Sequence, residues 1–196
     1  MKKIITLTIT FLLFVLVPVM QGWSQDRYIR CVPNTVSGIL PAMTDSSGKI
    51  IMNFDSLPDF SLTFSPWQAV DKDGKATYGI QDHTFPHSGE AMAFIVFNPS
   101  QVNPSMSGDT AIQPHTGSKF AGCFSAQEPP NNDWLISPRV SLKYNGTFSF
   151  WVKSYTSQYG LEKFNVAVSV TDSTPSSFTV ISGSNPLEAP TKWTKF

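Results

Sequence analysis

Phe148-Ser149-Phe150-Trp151-Val152 and, after a short loop, Phe164-Asn165-Val166-Ala167-Val168-Ser169-Val170 are the stretches whose reading decides the fold. In each, apolar residues fall on every second position, so that one face of an extended chain packs on a core and the other meets solvent or a second layer. Outward from these two segments, turn residues bound further candidate strands at 49–54, 67–70, 91–97, 119–125, 134–136, 178–181 and 191–196. Nowhere does a window longer than a helical turn or two show apolar residues at helical spacing. The chain reads as all-β, with short antiparallel strands and proline-containing loops that suggest two sheets packed face to face, as in a sandwich or jelly roll.

The first two dozen residues indicate export. Met1-Lys2-Lys3 is a short positive region, and 4–19 is almost wholly apolar apart from Thr6, Thr8 and Thr10. Gly22 and Ser24 stand where a signal peptidase needs small residues, which places cleavage between Ser24 and Gln25. The run is short for a membrane span, and no basic stop-transfer cluster follows it; an uncleaved anchor is the alternative. The expected organisation is a signal peptide at 1–24, a leader of little periodicity at 25–48, and one domain at 49–196, a length sufficient for a proper core. No second apolar span follows in the mature chain. The final candidate strand runs off the end at Phe196 without a turn or cap, which suggests a fragment lacking its last strands.

With 14 basic and 14 acidic side chains the formal net charge is zero, which leaves no electrostatic footprint for nucleic acid or an anionic membrane surface. Cys31 and Cys123 are compatible with a disulfide in an exported chain, but pairing is unforced: Cys123 sits between Gly122 and Phe124, the usual setting of a buried free thiol.

Enzyme signatures are mostly absent: there is no Gly-x-Ser-x-Gly elbow, phosphate-binding glycine loop or dinucleotide fingerprint. His83 and His87 have the spacing of zinc ligands on a helix, but Pro86 forbids the helix interior, and they read as ordinary loop histidines. With four Glu in the chain, a paired-carboxylate glycosidase is a minor alternative. Asp71-Lys72-Asp73-Gly74 is the best metal candidate, because carboxylates two residues apart before a turning glycine can gather hard oxygens around calcium. It is not an EF-hand, and a plain turn is the alternative; Asp55 and Asp133 are candidate partners from neighbouring loops. Among the aromatics, Trp67, Trp134 and Trp193 lie in apolar strands and are expected in the core. Tyr78, Tyr155 and Tyr159 sit among polar loop residues and are candidates to stack on a sugar or protein ligand. A long loop at 98–114 interrupts the strands and is expected to be functional or flexible.

Pro129-Pro130-Asn131-Asn132-Asp133-Trp134-Leu135-Ile136-Ser137-Pro138 resembles the cleaved-adhesin, or choice-of-anchor J, family related to gingipain haemagglutinin/adhesin modules. Gly117-Ser118-Lys119-Phe120-Ala121-Gly122-Cys123-Phe124 before it, and Phe148 to Tyr155, Tyr159 to Phe164, Pro175 to Phe178 and Glu188 to Trp193 after it, extend the resemblance over roughly 53–196. The resemblance implies a jelly-roll sandwich with structural calcium, in a secreted or cell-surface protein with further domains, and an adhesion function toward extracellular protein or glycan without catalysis. An accessory, carbohydrate-binding-like domain of a secreted hydrolase or peptidase is the alternative. Asp109-Thr110-Ala111 also resembles short bacterial O-glycosylation sites, and Asn145-Gly146-Thr147 reads as a hairpin turn.

Overall fold

The computed structural model describes residues 53–139 and 148–196, together with the backbone of three short strands at 4–8, 43–44 and 50–51. The rest of the leader, Cys31 and the Asn145 turn lie outside the described residues. Among the described residues thirteen strands follow in chain order: β1 (Ile4–Thr8), β2 (Met43–Thr44), β3 (Ile50–Ile51), β4 (Gln68–Asp71), β5 (Ile95–Phe97), β6 (Phe120–Phe124), β7 (Asp133–Ile136), β8 (Trp151–Ser154), β9 (Glu162–Phe164), β10 (Ala167–Val168), β11 (Thr179–Val180), β12 (Leu187–Ala189) and β13 (Thr194–Lys195). The only helical pieces among the described residues are 3-10 turns at Pro99–Gln101 and Pro175–Ser177, each begun by proline, whose fixed φ suits a first helical position. None is long and apolar enough to cross a membrane. The protein is all-β.

The main sheet has five strands in the order β13-β8-β1-β6-β5, all antiparallel neighbours. Ile4–Thr8, inside the stretch read as an export signal, holds its middle position. Residues of β5 and β6 alternate between two cores, and β8 adds Val152 to the first. Val96, Ala121, Cys123 and Val152 face a first core, closed from the other side by Ala69 and Leu135 of the β4–β7 pair and by Phe164 and Ala189 of the β9–β12 pair. Ile95, Phe97, Phe120 and Phe124 face a second core, closed not by strands but by loop residues including Phe60, Phe85, Val102, Met106 and Ile112. One face of the sheet therefore makes a strand-on-strand layer and the other lies under loops.

Several strands are shorter than their sequence patterns. The alternating segment 164–170 divides into β9 and β10; Phe164 and Val166 pack against the first core, whereas Val168 and Val170 are 41% and 62% exposed, since among the described residues no layer covers that end. Trp67 is buried as expected, but Trp134 and Trp193 are only half-buried. Each keeps its indole N–H on a partner near the surface, Asn132 Oδ1 at 2.9 Å and Gln113 O at 3.1 Å, which full burial would not supply.

The loop at 98–114 is a cover with its own buried residues. Asn98 is buried at its start, accepting from Ser100 N and Oγ and donating to Asp59 Oδ1 at 2.9 Å. Side chains of the main sheet hold its far end: Lys153 Nζ donates to Ala111 O, and Tyr155 Oη, just beyond β8, to Asp109 Oδ2 at 2.7 Å.

Phe97 makes the second core cohere, with ring centroids 5.2–5.8 Å from Phe60, Phe85, Phe120 and Phe124. Phe97→Ala is expected to cost about 3–5 kcal/mol in denaturant unfolding. Val170→Ala, on the exposed end of the sheet pair, should stay within about 0.5 kcal/mol of the parent; equal losses from both would contradict this assignment of the core.

Candidate functional site

Two groups of the residues singled out in the sequence come together. The first lies at one end of the β4–β7 pair, where the ladder sets Asp71 directly opposite Asp133. Past Asp71 the chain turns through Gly74 at φ +63°, a left-handed conformation natural to glycine. Asp71 Oδ1 accepts from the backbone N–H groups of Asp73 at 2.9 Å and Gly74 at 2.6 Å, which fixes the turn. Asp73 in turn accepts from Lys75 N at 3.0 Å and from Asn132 N, while Lys75 Nζ donates to Pro130 O at 2.9 Å. The turn and the Pro-Asn-Asn-Asp segment are thereby laced together.

One oxygen from each of Asp71, Asp73 and Asp133 lies within 4.8 Å of the others. Oxygens on opposite sides of a calcium ion stand about 5 Å apart, twice the usual 2.3–2.6 Å ligand distance, so this spacing suits a shared hard cation. Asp133 Oδ2 accepts from Asn131 Nδ2 at 2.6 Å, but its Oδ1 is buried with no hydrogen-bond partner. Burial first, and then the Asp73 and Asp71 charges, push the Asp133 carboxyl up to about 7, although the Asn131 hydrogen bond pulls the other way. Behind it, Cys123 Sγ approaches Asp133 Oδ2 at 3.7 Å. Cys123 is free and buried, and burial together with the Asp133 charge holds its thiol well above the usual range, which keeps it unreactive.

Asp55, the fourth acid expected to join this group, is placed elsewhere. Its Oδ1 accepts from Ser118 N at 2.8 Å, Ser118 Oγ at 3.1 Å and Lys119 N at 3.1 Å, and its carboxylate fills the space that a side chain on Gly117 would need. Asp55 therefore anchors the entry to β6. Asn131 and Asn132 are the contributors that the metal reading of the sequence missed, although they immediately precede Asp133.

The second group is a cleft of about 760 Å³ lined by Tyr155, Tyr159, His83, Asp109, Gln81 and Gln158 among others. That volume is within the range of small-ligand sites. Tyr159 is 41% exposed, so its ring is available at the surface. Tyr155 is fixed by its bond to Asp109, and burial, then that carboxylate, pushes its hydroxyl up to about 12, so it remains a neutral donor. His83 Nδ1 meets Pro104 O at 2.7 Å, whereas His87 Nδ1 meets Glu90 Oε2 at 2.7 Å; the two histidines have separate partners. Tyr78 stands apart from the other tyrosines, its backbone N–H bonded to Ser125 O and its hydroxyl 3.4 Å from Gln127 O. The cleft draws on three separate loops, so no spacing in the sequence announces it.

Comparison with protein-family models, with curated proteins and with solved structures finds no match.

The Asp133 carboxyl, raised from 3.8 to about 7, holds a proton in the folded state that the unfolded chain has released over that interval. The stability it contributes is therefore present at low pH and lost as pH rises through 7. In chelator, the melting temperature is expected to fall between pH 5 and pH 8, and Asp133→Asn to flatten that fall. An unchanged slope in the variant would remove Asp133 as its source.

Proposed function

We propose that this chain is an exported, non-catalytic binding module of the adhesin type. Its all-β scaffold is a jelly-roll-like sandwich, and the cleft beside Tyr155 and Tyr159 contacts an extracellular glycan or protein. The observation that carries this reading is the composition of that cleft: one exposed aromatic ring and one fixed tyrosine hydroxyl beside Gln81, His83, Asp109 and Gln158. A ring stacks on the apolar face of a pyranose, and amide, imidazole and carboxylate groups bond its hydroxyls. The zero net charge agrees with recognition by shape and hydrogen bonds rather than by steering.

In this reading, Asp71, Asp73 and Asp133 hold a structural calcium ion that ties the turn after β4 to the start of β7. The cation satisfies the bare Asp133 oxygen and offsets the repulsion among three carboxylates. It has no chemical step to perform, and the unreactive Cys123 thiol behind it supplies none.

The full chain applied to immobilised glycans and extracellular matrix proteins should bind at least one of them saturably. Tyr159→Ala should weaken that binding about tenfold, the loss of a stacking contact worth roughly 1–1.5 kcal/mol. Binding indifferent to Tyr159 would move the ligand site away from the cleft. Separately, calcium at excess over its dissociation constant should raise the melting temperature, and Asp71→Ala or Asp73→Ala should abolish the difference. No shift on chelation of the parent protein would contradict the metal reading.

A further inference from the structure

Strands β6 and β8 run parallel to each other, are not hydrogen-bonded together, and are separated by one strand position. That position holds β1, antiparallel to both. Ile4, Ile5, Thr6 and Leu7 stand opposite Phe124, Cys123, Gly122 and Ala121, while Ile5, Thr6, Leu7 and Thr8 stand opposite Ser154, Lys153, Val152 and Trp151. These same residues belong to the apolar run whose sequence marks it for removal after Ser24. Cutting there breaks the covalent tie between this central strand and the domain.

With β1 seated, Ala121, Cys123, Phe124, Val152, Lys153 and Ser154 along the borders of the position are all buried, in a sheet with packed cores on both faces. Empty, the position would leave facing rows of backbone N–H and C=O groups unpaired inside the fold, which native proteins avoid. Among the described residues no spare strand exists to close it: β2 pairs with β3, β4 with β7, β9 with β12, β10 with β11, and β13 already flanks β8.

We propose that the position between β6 and β8 is a strand-acceptor site, filled in the exported chain by an extended segment supplied in trans. The seated segment defines the chemistry of that partner. Ile-Ile-Thr-Leu-Thr carries no charge, no proline and no glycine, and is rich in β-branched residues that favour extended backbone. On the face turned to the first core the bordering residues are Ala121, Cys123 and Val152, which are apolar and of small or moderate size, so the position suits an uncharged, apolar occupant. Ladder bonds on both edges supply affinity, and the alternating pockets supply register. The proposal rests on the export reading for the vacancy but is independent of the ligand in the cleft.

The test uses the full chain with a protease recognition sequence placed between Ser24 and Gln25, cut after folding. The probe is a fluorescent synthetic peptide of residues 2–11. It should bind the cut chain saturably and the uncut chain not at all. The same peptide with Thr6→Pro should bind at least tenfold more weakly, because proline removes a ladder N–H from a central strand. Failure of the peptide to bind the cut chain, or equal binding of the proline peptide, overturns the proposal. In the uncut chain, Thr6→Pro should lower the melting temperature, and an unchanged value overturns it equally. The N-terminal mass of protein recovered from the secreted fraction tests the export reading by itself: a retained Met1 defeats that reading, while peptide binding to the engineered cut chain still decides the acceptor site.

Discussion

The burial of β6 on both faces is the constraint on which the rest depends. All five of its residues are buried, with Ala121 and Cys123 turned to the first core and Phe120 and Phe124 to the second. A strand in that position cannot shift by one residue without exchanging small side chains for phenylalanines across the sheet. Its two ends are fixed as well. Asp55 gathers the backbone of Ser118 and Lys119 where β6 begins, and Asn131 bonds Phe124 O and Ala126 N where it ends. Asn131 also holds Asp133, so the acidic clasp inherits its geometry from the exit of β6.

The two faces of the sheet are served differently, and the division places the cleft. On the first face, short strand pairs supply a second layer. On the second, loops do the covering, and their buried residues must be pinned by the sheet to stay there. Lys153 and Tyr155 perform that task from β8 and its extension, with Trp193 holding Gln113 O beside them. Lys153 is buried, and desolvation lowers its basicity while the Asp109 charge works against that shift. The cleft opens where this pinned loop meets the segment that carries Tyr155 and Tyr159.

Much of the architecture was legible in the sequence because period-two alternation and continuous apolar runs are local properties. Residues 119–125 read as a strand around an apolar run, and β6 is that strand; its burial on both faces shows only in the structure. Alternation at 164–170 gave the two faces but not their cover, because whether another layer reaches Val168 and Val170 is decided by distant chain. The strand Leu187–Ala189 escaped notice for its brevity beside Pro186 and Pro190. Val102, Met106 and Ile112 have no regular spacing, so their role as a cover was invisible. At the clasp, Asp71 and Asp73 were legible as a turn pair. The choice of Asp133 over Asp55 was not, since it follows from the β4–β7 register.

Native-state amide hydrogen exchange across β6 tests the central claim most directly. If this strand is the common wall of both cores, those of its amides that bond to β5 exchange only through global unfolding, at the free energy found by denaturant. Exchange from β6 at a markedly lower free energy, with the rest of the sheet still protected, would show that the fold does not hang on this strand.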